Sequence, residues 1–138
     1  MPYPEMLVSP MRAELSNNGF EELKSSEEVA NAFGNTEGTM LLVVNSVCGC
    51  AAGSCRPGVV HSLNSEKKPG KLVTVFAGQD LEAVAKAREN MAPYPPSSPA
   101  IALFKDGKLV HMIERHHIEG RTAEIISTHL KQVYQEFC

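Results

Sequence analysis

Residues 39–58 read TMLLVVNSVCGCAAGSCRPG, and this stretch decides how the rest of the chain is interpreted. It begins with an aliphatic run, Met40 to Val44, which predicts a fully buried β-strand. A short turn follows, then Cys48 and Cys50 with one residue between them, and then the small residues of a predicted helix. Unpaired backbone N–H groups and the positive end of the helix dipole concentrate at a helix N-terminus, where they favour the thiolate form of a cysteine. The pattern therefore predicts a redox site.

The composition is that of an ordinary globular protein. Of the 138 residues, 43% are hydrophobic and 21% are charged, and the net charge is −3. A negative net charge gives no excess of basic residues for binding nucleic acid. No apolar run approaches the ~20 residues that span a bilayer. The N-terminal residues lack the basic start and apolar stretch of a secretion signal, so we expect a cytoplasmic protein without nucleic-acid or membrane partners. A single domain over 1–138 is expected, with a helical lead-in over 1–38 and the core over 39–138.

The cysteines also bear on the chemistry. There are four of them, at positions 48, 50, 55 and 138. Because cytoplasmic thiols are kept reduced, this number favours catalysis, redox sensing or metal binding over a disulfide framework. The C-x-C-x4-C spacing matches neither a zinc nor an iron–sulfur pattern, and a metal would need a second ligand cluster, so no metal ligand is assigned. The adjacent His116 and His117 are expected to be solvent-facing loop residues.

Apolar spacing and turn residues predict the order of the elements. Pro2 to Pro10 is expected to be irregular, followed by a short helix beginning at Met11 and a connector. Ser25 is expected to cap a second helix that stops at Gly34 and Asn35. Further along, the patterns predict the strand from 39, a helix over 51–63 bent or broken at Pro57-Gly58, a strand over 71–77, a helix capped by Asp80, irregular chain over 91–99, strands over 100–104 and 109–113, and a last helix over 122–137.

The resulting β-α-β-α-β-β-α order is that of the thioredoxin fold. It predicts an α/β protein with a central mixed sheet of about four strands flanked by helices. The strands joined through helices are expected to be parallel, and the final hairpin adds an antiparallel edge. In thioredoxin-like proteins a cis proline stands just before the third strand of this order, beside the reactive cysteine. This resemblance predicts that Ser98–Pro99 is cis.

Within the predicted redox site, the two cysteines receive different roles. Cys48 comes first and is expected to be the exposed nucleophile, whereas Cys50, in the first helical turn, is expected to be the resolving thiol. Gly49 would suit a tight disulfide ring, whose backbone angles a residue with a Cβ tolerates poorly. Cys55 is interpreted as a small buried residue, with an auxiliary thiol as the alternative. Cys138 is interpreted as a free surface thiol, with the same alternative.

A narrower resemblance rests on the stretch NSVCGCAAGSCRP. Together with the N-terminal PYP, the YPPSSP loop before Ala100 and the LFKDG turn, it resembles the bacilliredoxin family over nearly the whole chain. The resemblance implies thiol–disulfide exchange in which the enzyme removes bacillithiol, a low-molecular-weight thiol, from mixed disulfides on oxidised proteins. It also implies bacillithiol as co-substrate with no cofactor, and bacillithiolated proteins and a recycling reductase as partners. Asn45, Ser46 and Arg56 match the motif as neighbours that shape or polarise the site.

Two other functions stay open at this point. One is a general disulfide isomerase or reductase with no dedicated small thiol, and the other is a non-catalytic thioredoxin-fold module that uses the two cysteines as metal ligands. The role of Arg56 is open as well. Its cation could favour the Cys48 thiolate or an anionic group on bacillithiol, or it could be a solvated surface residue.

Overall fold

The computed structural model describes residues 2–34 and 37–138, and its elements follow most of the predicted order. The helices are α1 (Glu5–Ser16), α2 (Ser26–Gly34), α3 (Arg56–Ser62), α4 (Leu81–Arg88), α5 (Arg115–Ile118) and α6 (Ala123–Phe137). The strands are β1 (Glu21–Glu22), β2 (Thr39–Asn45), β3 (Lys71–Phe76), β4 (Ala100–Lys105) and β5 (Lys108–Ile113). A π-helical turn, Ala51–Cys55, precedes α3, and a 3-10 turn, Glu89–Met91, follows α4.

The strands form one mixed sheet in the order β1-β3-β2-β4-β5. It has five strands rather than about four, because Glu21–Glu22 pairs with Val73 and Thr74 of β3 at one edge. β2 and β3 are parallel, as predicted, and β4 and β5 form the predicted antiparallel hairpin. The α/β class and the mixed sheet are therefore confirmed.

The direction of β4 differs from the prediction. It runs antiparallel to β2, whereas a strand reached through a helix was expected to be parallel. α4 has only 8 residues, and the 3-10 turn and proline-rich residues 92–99 that follow it lead the chain back to the end of the sheet that it left. Ala100 consequently pairs with Val44, and Phe76 at the end of β3 pairs with Asn45. The segments after β2 and before β4 thus meet at one end of the sheet.

The central strand has its side chains in two cores, one on each face of the sheet. Leu41 and Val43 pack with residues of α3 and α6, including Val59 and Leu130. The alternate residues of β2 pack with α2 and α4 on the other face: Met40, Leu42 and Val44. Each fully buried aliphatic side chain contributes roughly 1.5–3 kcal/mol relative to exposure. β2 is therefore the strand whose position is fixed from both sides.

The second helix begins as predicted. The Glu28 backbone N–H donates to Ser25 Oγ at 3.1 Å, and the Glu28 carboxylate accepts from the Lys24 N–H in return at 3.0 Å. This reciprocal arrangement satisfies backbone donors that the helix itself leaves unpaired. Gly34 is the last residue of α2, and Asn35 lies outside the described residues.

The N-terminal helix begins earlier than predicted. Pro2 to Pro10 was expected to be irregular, yet α1 starts at Glu5 and contains Pro10. A proline inside a helix removes one backbone hydrogen bond. Val8 and Leu15 of this helix are fully buried, and this packing offsets the missing bond. The interaction that favours the helix is tertiary packing, so the prolines and other local helix-breaking residues gave the wrong prediction.

Arg12 joins this helix to the sheet and to α4. Its guanidinium donates to both carboxylate oxygens of Asp80 at 2.8 and 3.0 Å and to Glu5 at 2.8 Å, and it lies 5.4 Å from the ring centroid of Phe76. Asp80 was predicted to cap α4. It does stand at the N-cap position, but its side chain makes no capping bond because its carboxylate is engaged by Arg12.

The helix after the cysteines is not broken at Pro57-Gly58, contrary to the prediction. Pro57 is the second residue of α3, which directly follows the π-helical turn Ala51–Cys55, and the helical backbone continues through it. Gly58 lies against α6, where a Cβ would come within 2.7 Å of the Ile126 Cβ. The irregularity is the π-helical turn before α3. No helix in 2–34 or 37–138 is long and apolar enough to cross a bilayer.

Candidate active site

A buried polar network holds the loop that leaves the central strand. Asn45, 1% exposed, accepts through Oδ1 from the Ser46 backbone N–H at 2.8 Å and from Arg56 Nη1 at 2.9 Å. Its amide donates to the Met11 carbonyl in α1 at 3.1 Å. Ser46 Oγ in turn accepts from the Cys48 backbone N–H at 3.3 Å. Side-chain bonds therefore define the path of the chain from the strand to the first cysteine.

Arg56 is part of this network and is not a solvated surface residue. It is 1% exposed, and Nη1 also donates to the Ser46 carbonyl at 2.8 Å. Its Nε lies 3.1 Å from Glu14 Oε2, at ion-pair distance but without hydrogen-bond alignment. The buried guanidinium thus bonds to the side chain of Asn45 and the backbone of Ser46, directly before the cysteine motif.

Cys48 stands directly before the first helical residue, Gly49, and is partly exposed. Burial raises the pKa of its thiol. Hydrogen bonds from the Cys50 thiol, the Ala51 backbone N–H and the Ser46 hydroxyl more than offset this effect, so the pKa lies below its ordinary value of 9.0. The thiolate of Cys48 is thus favoured, as the position at the start of a helix predicts.

Cys50 has the opposite property. Burial, the hydrogen bond with Cys48 and the charge of Cys48 raise the pKa of the Cys50 thiol, against a smaller opposing effect of the Arg115 cation. Of the two thiols, Cys48 is therefore the one that loses its proton more readily. The roles predicted from the sequence, Cys48 as nucleophile and Cys50 as resolving thiol, remain predictions with which these pKa directions are compatible.

Gly49 is not required by the backbone of this reduced form. Its φ lies outside the left-handed region, and a Cβ added there would meet nothing within 4 Å. The unusual backbone angles that a tight Cys48–Cys50 disulfide ring would need at Gly49 are therefore not needed in the dithiol form. The space that a side chain at position 49 would enter is open.

The other two cysteines differ from the pair and from each other. Cys55 is fully buried in the core beside Val59, and burial raises the pKa of its thiol to about 12. Its interpretation as a packing residue is the one that this burial supports. Cys138 is an exposed free thiol.

The proline predicted to be cis directly precedes β4, the strand that pairs with β2. The Ser98–Pro99 bond is cis, and so is Ala92–Pro93, which the sequence did not predict. Pro99 precedes Ala100, and Ala100 pairs with Val44, so the proline loop and the cysteine loop emerge side by side.

Arg115 is the site residue that the sequence analysis missed. Its backbone N–H donates to Ser97 Oγ at 2.7 Å and its Nη1 donates to the Ser98 carbonyl at 3.2 Å. Its positive charge lies within electrostatic range of Cys48 and Cys50. Arg115 follows β5, whose end pairs with the start of β4, so only the sheet register brings it here. A lone arginine after an edge strand carried no signal for this in the sequence.

The contacts described for His111, His116, His117 and His129 are with groups other than the thiols. His116 and His117 are exposed, as expected, but they belong to the short helix α5, where His117 Nδ1 accepts from the Glu114 backbone N–H. His111 and His129 face each other with 2.9 Å between their Nε2 atoms. In the part of the chain that the structure describes, no three His, Cys, Asp or Glu side chains are grouped to hold a metal ion.

Solved structures with a similar fold are thioredoxins. A thioredoxin of Fasciola hepatica aligns with a TM-score of 0.59 over 86% of this chain and 100% of its own, at 20% identity. A thioredoxin of Schistosoma mansoni aligns with a TM-score of 0.58 over 88% of this chain and 97% of its own, at 15% identity. These similarities confirm the predicted thioredoxin-like fold.

Sequence comparison identifies the family. A family model described as disulphide isomerase matches residues 3–138. A bacilliredoxin of Cytophaga hutchinsonii is 65% identical over 97% of this chain and 98% of its own length, and one of Halalkalibacterium halodurans is 54% identical over 99% and 94%. The fold and these relatives define a thiol–disulfide oxidoreductase of the thioredoxin fold. Within that class, the chain belongs to the bacilliredoxin family, as its cysteine motif predicted.

Proposed function

We propose that this oxidoreductase removes bacillithiol from mixed disulfides on oxidised proteins, with Cys48 as the nucleophile and Cys50 as the resolving thiol. The observation that carries the proposal is the opposite shift of the two thiol pKa values at neighbouring positions. The choice of bacillithiol is supported by the relatives, which are named bacilliredoxins.

In the first step the Cys48 thiolate attacks the bacillithiol sulfur of a protein–bacillithiol disulfide. The Cys48–bacillithiol bond forms as the substrate disulfide breaks, and the substrate cysteine leaves as a thiolate that takes a proton from solvent. Because the thiolate is the attacking species, a pKa lowered from 9.0 increases the fraction of Cys48 that can react at a given pH. The open space beside Gly49 leaves room for the substrate disulfide.

The second step removes bacillithiol from Cys48 by one of two routes. In one, Cys50 loses its proton and attacks Cys48, so that a Cys48–Cys50 disulfide forms and bacillithiol leaves. In the other, a second bacillithiol attacks the mixed disulfide, leaving Cys48 reduced and a bacillithiol disulfide in solution. Either oxidised product requires two electrons from a recycling reductase. A Cys50 that keeps its proton until Cys48 has reacted suits the first route.

The supporting residues act through geometry in this scheme. Asn45, Ser46 and Arg56 fix the loop so that the Cys48 backbone N–H is bonded to Ser46 Oγ. Pro99 precedes the strand that pairs with β2, which places its loop next to the cysteine loop. Cys55 and Cys138 have no step in it.

A second candidate function is a general disulfide isomerase or reductase. It is favoured by the description of the matching family model, disulphide isomerase. The chemistry at Cys48 would be the same, but the sulfur attacked would belong to a protein–protein disulfide and no small thiol would be needed.

The test uses a single-cysteine protein carrying a bacillithiol mixed disulfide, and it follows release of the protein thiol. Wild type and Cys50→Ala should release it, and Cys50→Ala should accumulate a bacillithiol adduct on Cys48 by mass spectrometry. Cys48→Ala should be inactive, and Cys138→Ala is the matched control that should behave as wild type. Full activity of Cys48→Ala would refute the assignment of the nucleophile. Failure to release bacillithiol, together with rearrangement of a protein with mispaired disulfides, would favour the isomerase.

A further inference from the structure

A groove of about 490 Å³ lies beside the proline loop. Its lining includes Arg88 at the end of α4 and Pro96, Ser97 and Ser98 of the proline loop. It also includes Arg115 and His116 of α5 and Glu119, which follows α5. Two guanidinium groups face one carboxylate, so the groove carries an excess of positive charge.

Arg88 lacks a counter-charge in this groove. Among the described residues, no carboxylate lies within 4.0 Å of its guanidinium, and its Nε is buried without a hydrogen-bond partner. Its single hydrogen bond goes from Nη2 to the Ser97 carbonyl at 3.4 Å. Arg12, Arg56 and Arg115, by contrast, are each within ion-pair distance of a carboxylate. A half-buried cation with no anion is an unfavourable arrangement unless a ligand supplies the anion.

Arg115 links the groove to the reactive thiols. It is anchored to the proline loop by bonds to Ser97 and Ser98 and lies within electrostatic range of Cys48 and Cys50. It is also ion-paired with Glu119, four residues along the chain. This pair involves exposed side chains, so a carboxylate from a ligand can displace Glu119 at little cost. Arg115 is therefore the residue that both lines the groove and acts electrostatically on the two thiols.

We propose that this groove binds the carboxylate of an acidic low-molecular-weight thiol and thereby selects anionic small-thiol disulfides for attack by Cys48. The inference rests on the proposed function for the identity of the nucleophile, and it adds the residues that recognise the non-reacting part of the substrate. Arg88 binds the carboxylate and Arg115 assists it, whereas Glu119 competes with it. Planar guanidinium groups suit bidentate contact with a carboxylate.

The test compares three small symmetrical disulfides that differ in charge: dithiodipropionate (anionic), hydroxyethyl disulfide (neutral) and cystamine (cationic). Each reacts with reduced full-length protein by the same exchange, in which a bond to Cys48 forms and one thiolate leaves. The readout is the ratio of the anionic to the neutral rate constant, because this ratio cancels changes in the reactivity of Cys48 itself. Wild type should prefer the anionic probe, and the preference should weaken with added salt.

Arg88→Gln should lower this ratio by about three- to tenfold, the range expected for a partly exposed charge-assisted contact. Arg115→Gln should lower it as well, Arg88→Lys should retain part of it, and Glu119→Gln should raise it. Arg121→Gln, at an exposed arginine outside the groove, is the matched control and should leave the ratio unchanged. Circular dichroism and thermal unfolding confirm that each variant is folded.

An unchanged ratio in folded Arg88→Gln and Arg115→Gln would overturn the groove assignment. That result is distinguishable from failure of the proposed function. If wild type releases bacillithiol from protein but the ratio does not respond to either arginine, the groove assignment fails alone. If the ratio responds but bacillithiol is not released, the groove assignment stands and the bacillithiol-specific function fails.

Discussion

At the scale of the residue, the central feature is that two cysteines separated by Gly49 have thiol pKa values shifted in opposite directions. The cause is mutual: the Cys50 thiol donates a hydrogen bond that stabilises the Cys48 thiolate, and in doing so Cys50 retains its proton. The positions of both residues could be predicted from the motif, because a helix start after a buried strand is visible in the sequence. The partners Ser46 Oγ and the Ala51 N–H are local and follow from the same motif.

Replacing Cys50 should therefore change the titration of Cys48. In Cys50→Ala the donor is lost, so the pKa of Cys48 should rise and its alkylation by iodoacetamide should require a higher pH than in wild type. Cys50→Ser keeps an O–H donor and should show a smaller rise. The pH dependence of the Cys48 alkylation rate, followed by mass spectrometry, measures this. A Cys48 pKa that is unchanged or lower in Cys50→Ala would contradict the proposed hydrogen bond.

Arg56 and Arg115 show where prediction from the sequence ended at this scale. Arg56 belongs to the motif, but its burial depends on Glu14 in α1 and on Asn45, and neither contact is encoded near it in the chain. Arg115 approaches the thiols only because β5 pairs with β4. Both are consequences of tertiary register, which spacing along the chain does not report.

At the scale of the element, the crossing of α3 over α6 positions the helix that follows the cysteines. Gly58 is the point of closest approach, since a Cβ would lie 2.7 Å from Ile126 Cβ and 3.0 Å from the Ala123 carbonyl oxygen. Ser62 in α3 and Tyr134 in α6 add a buried hydrogen bond of 2.9 Å between their hydroxyl groups. The Pro-Gly pair was predicted to bend or break the helix, but the helix continues through it and its glycine permits close packing.

Gly58→Ala and Gly49→Ala form a matched pair of substitutions. Gly58→Ala should lower the free energy of unfolding by about 2 kcal/mol, because the new methyl group overpacks against α6. Gly49→Ala should change it by less than about 0.5 kcal/mol, since its Cβ meets nothing within 4 Å. Urea unfolding followed by circular dichroism provides both values. Equal effects of the two substitutions would show that the helices approach less closely at Gly58 than described.

The elements themselves were predicted to different degrees. β2 and α6 carry long, regular apolar patterns and were placed correctly. β1 is only Glu21–Glu22, and two acidic residues give no strand signal, so it exists because β3 offers an edge to pair with. The antiparallel direction of β4 depends on how far α4 and the proline-rich segment carry the chain, and no local pattern contains that distance.

At the scale of the whole molecule, Arg12 connects the N-terminal helix with β1 and with the start of α4. It is 7% exposed and contacts Glu5, Glu22 and Asp80.

Arg12→Met should lower the free energy of unfolding by about 3 kcal/mol, because Asp80 would be left largely buried without a cation. Lys86→Met, which removes an exposed pair with Glu89, is the control and should cost at most about 0.5 kcal/mol. Similar values for the two variants in chemical unfolding would argue against a coupling role for Arg12.

The stability of the whole fold should fall in alkali. Burial raises the pKa of Cys55 from its ordinary 9.0 and that of Tyr134 from 10.0, each to about 12. Between about pH 9 and pH 12 the folded protein therefore binds more protons than the unfolded chain, so the free energy of unfolding decreases as pH rises through this window. Tyr134→Phe should reduce the slope, whereas Tyr94→Phe, at an exposed position, should not. Unfolding by urea at several pH values gives the slope, and a flat profile above pH 9 would contradict the burial of these groups.

The bond from the Asn45 amide to the Met11 carbonyl has a consequence for the order of events during folding. The same amide group accepts from Ser46 and Arg56 through its oxygen, so the first helix of the chain and the loop before Cys48 share one anchor. A chain in which α1 has not yet docked lacks one bond of that anchor and also the Glu14 neighbour of Arg56. The loop then loses the support that holds Ser46 and the Cys48 backbone in place. We therefore expect the lowered pKa of Cys48 only in the completed fold, and a pKa closer to the ordinary 9.0 in a chain whose first helix has not docked.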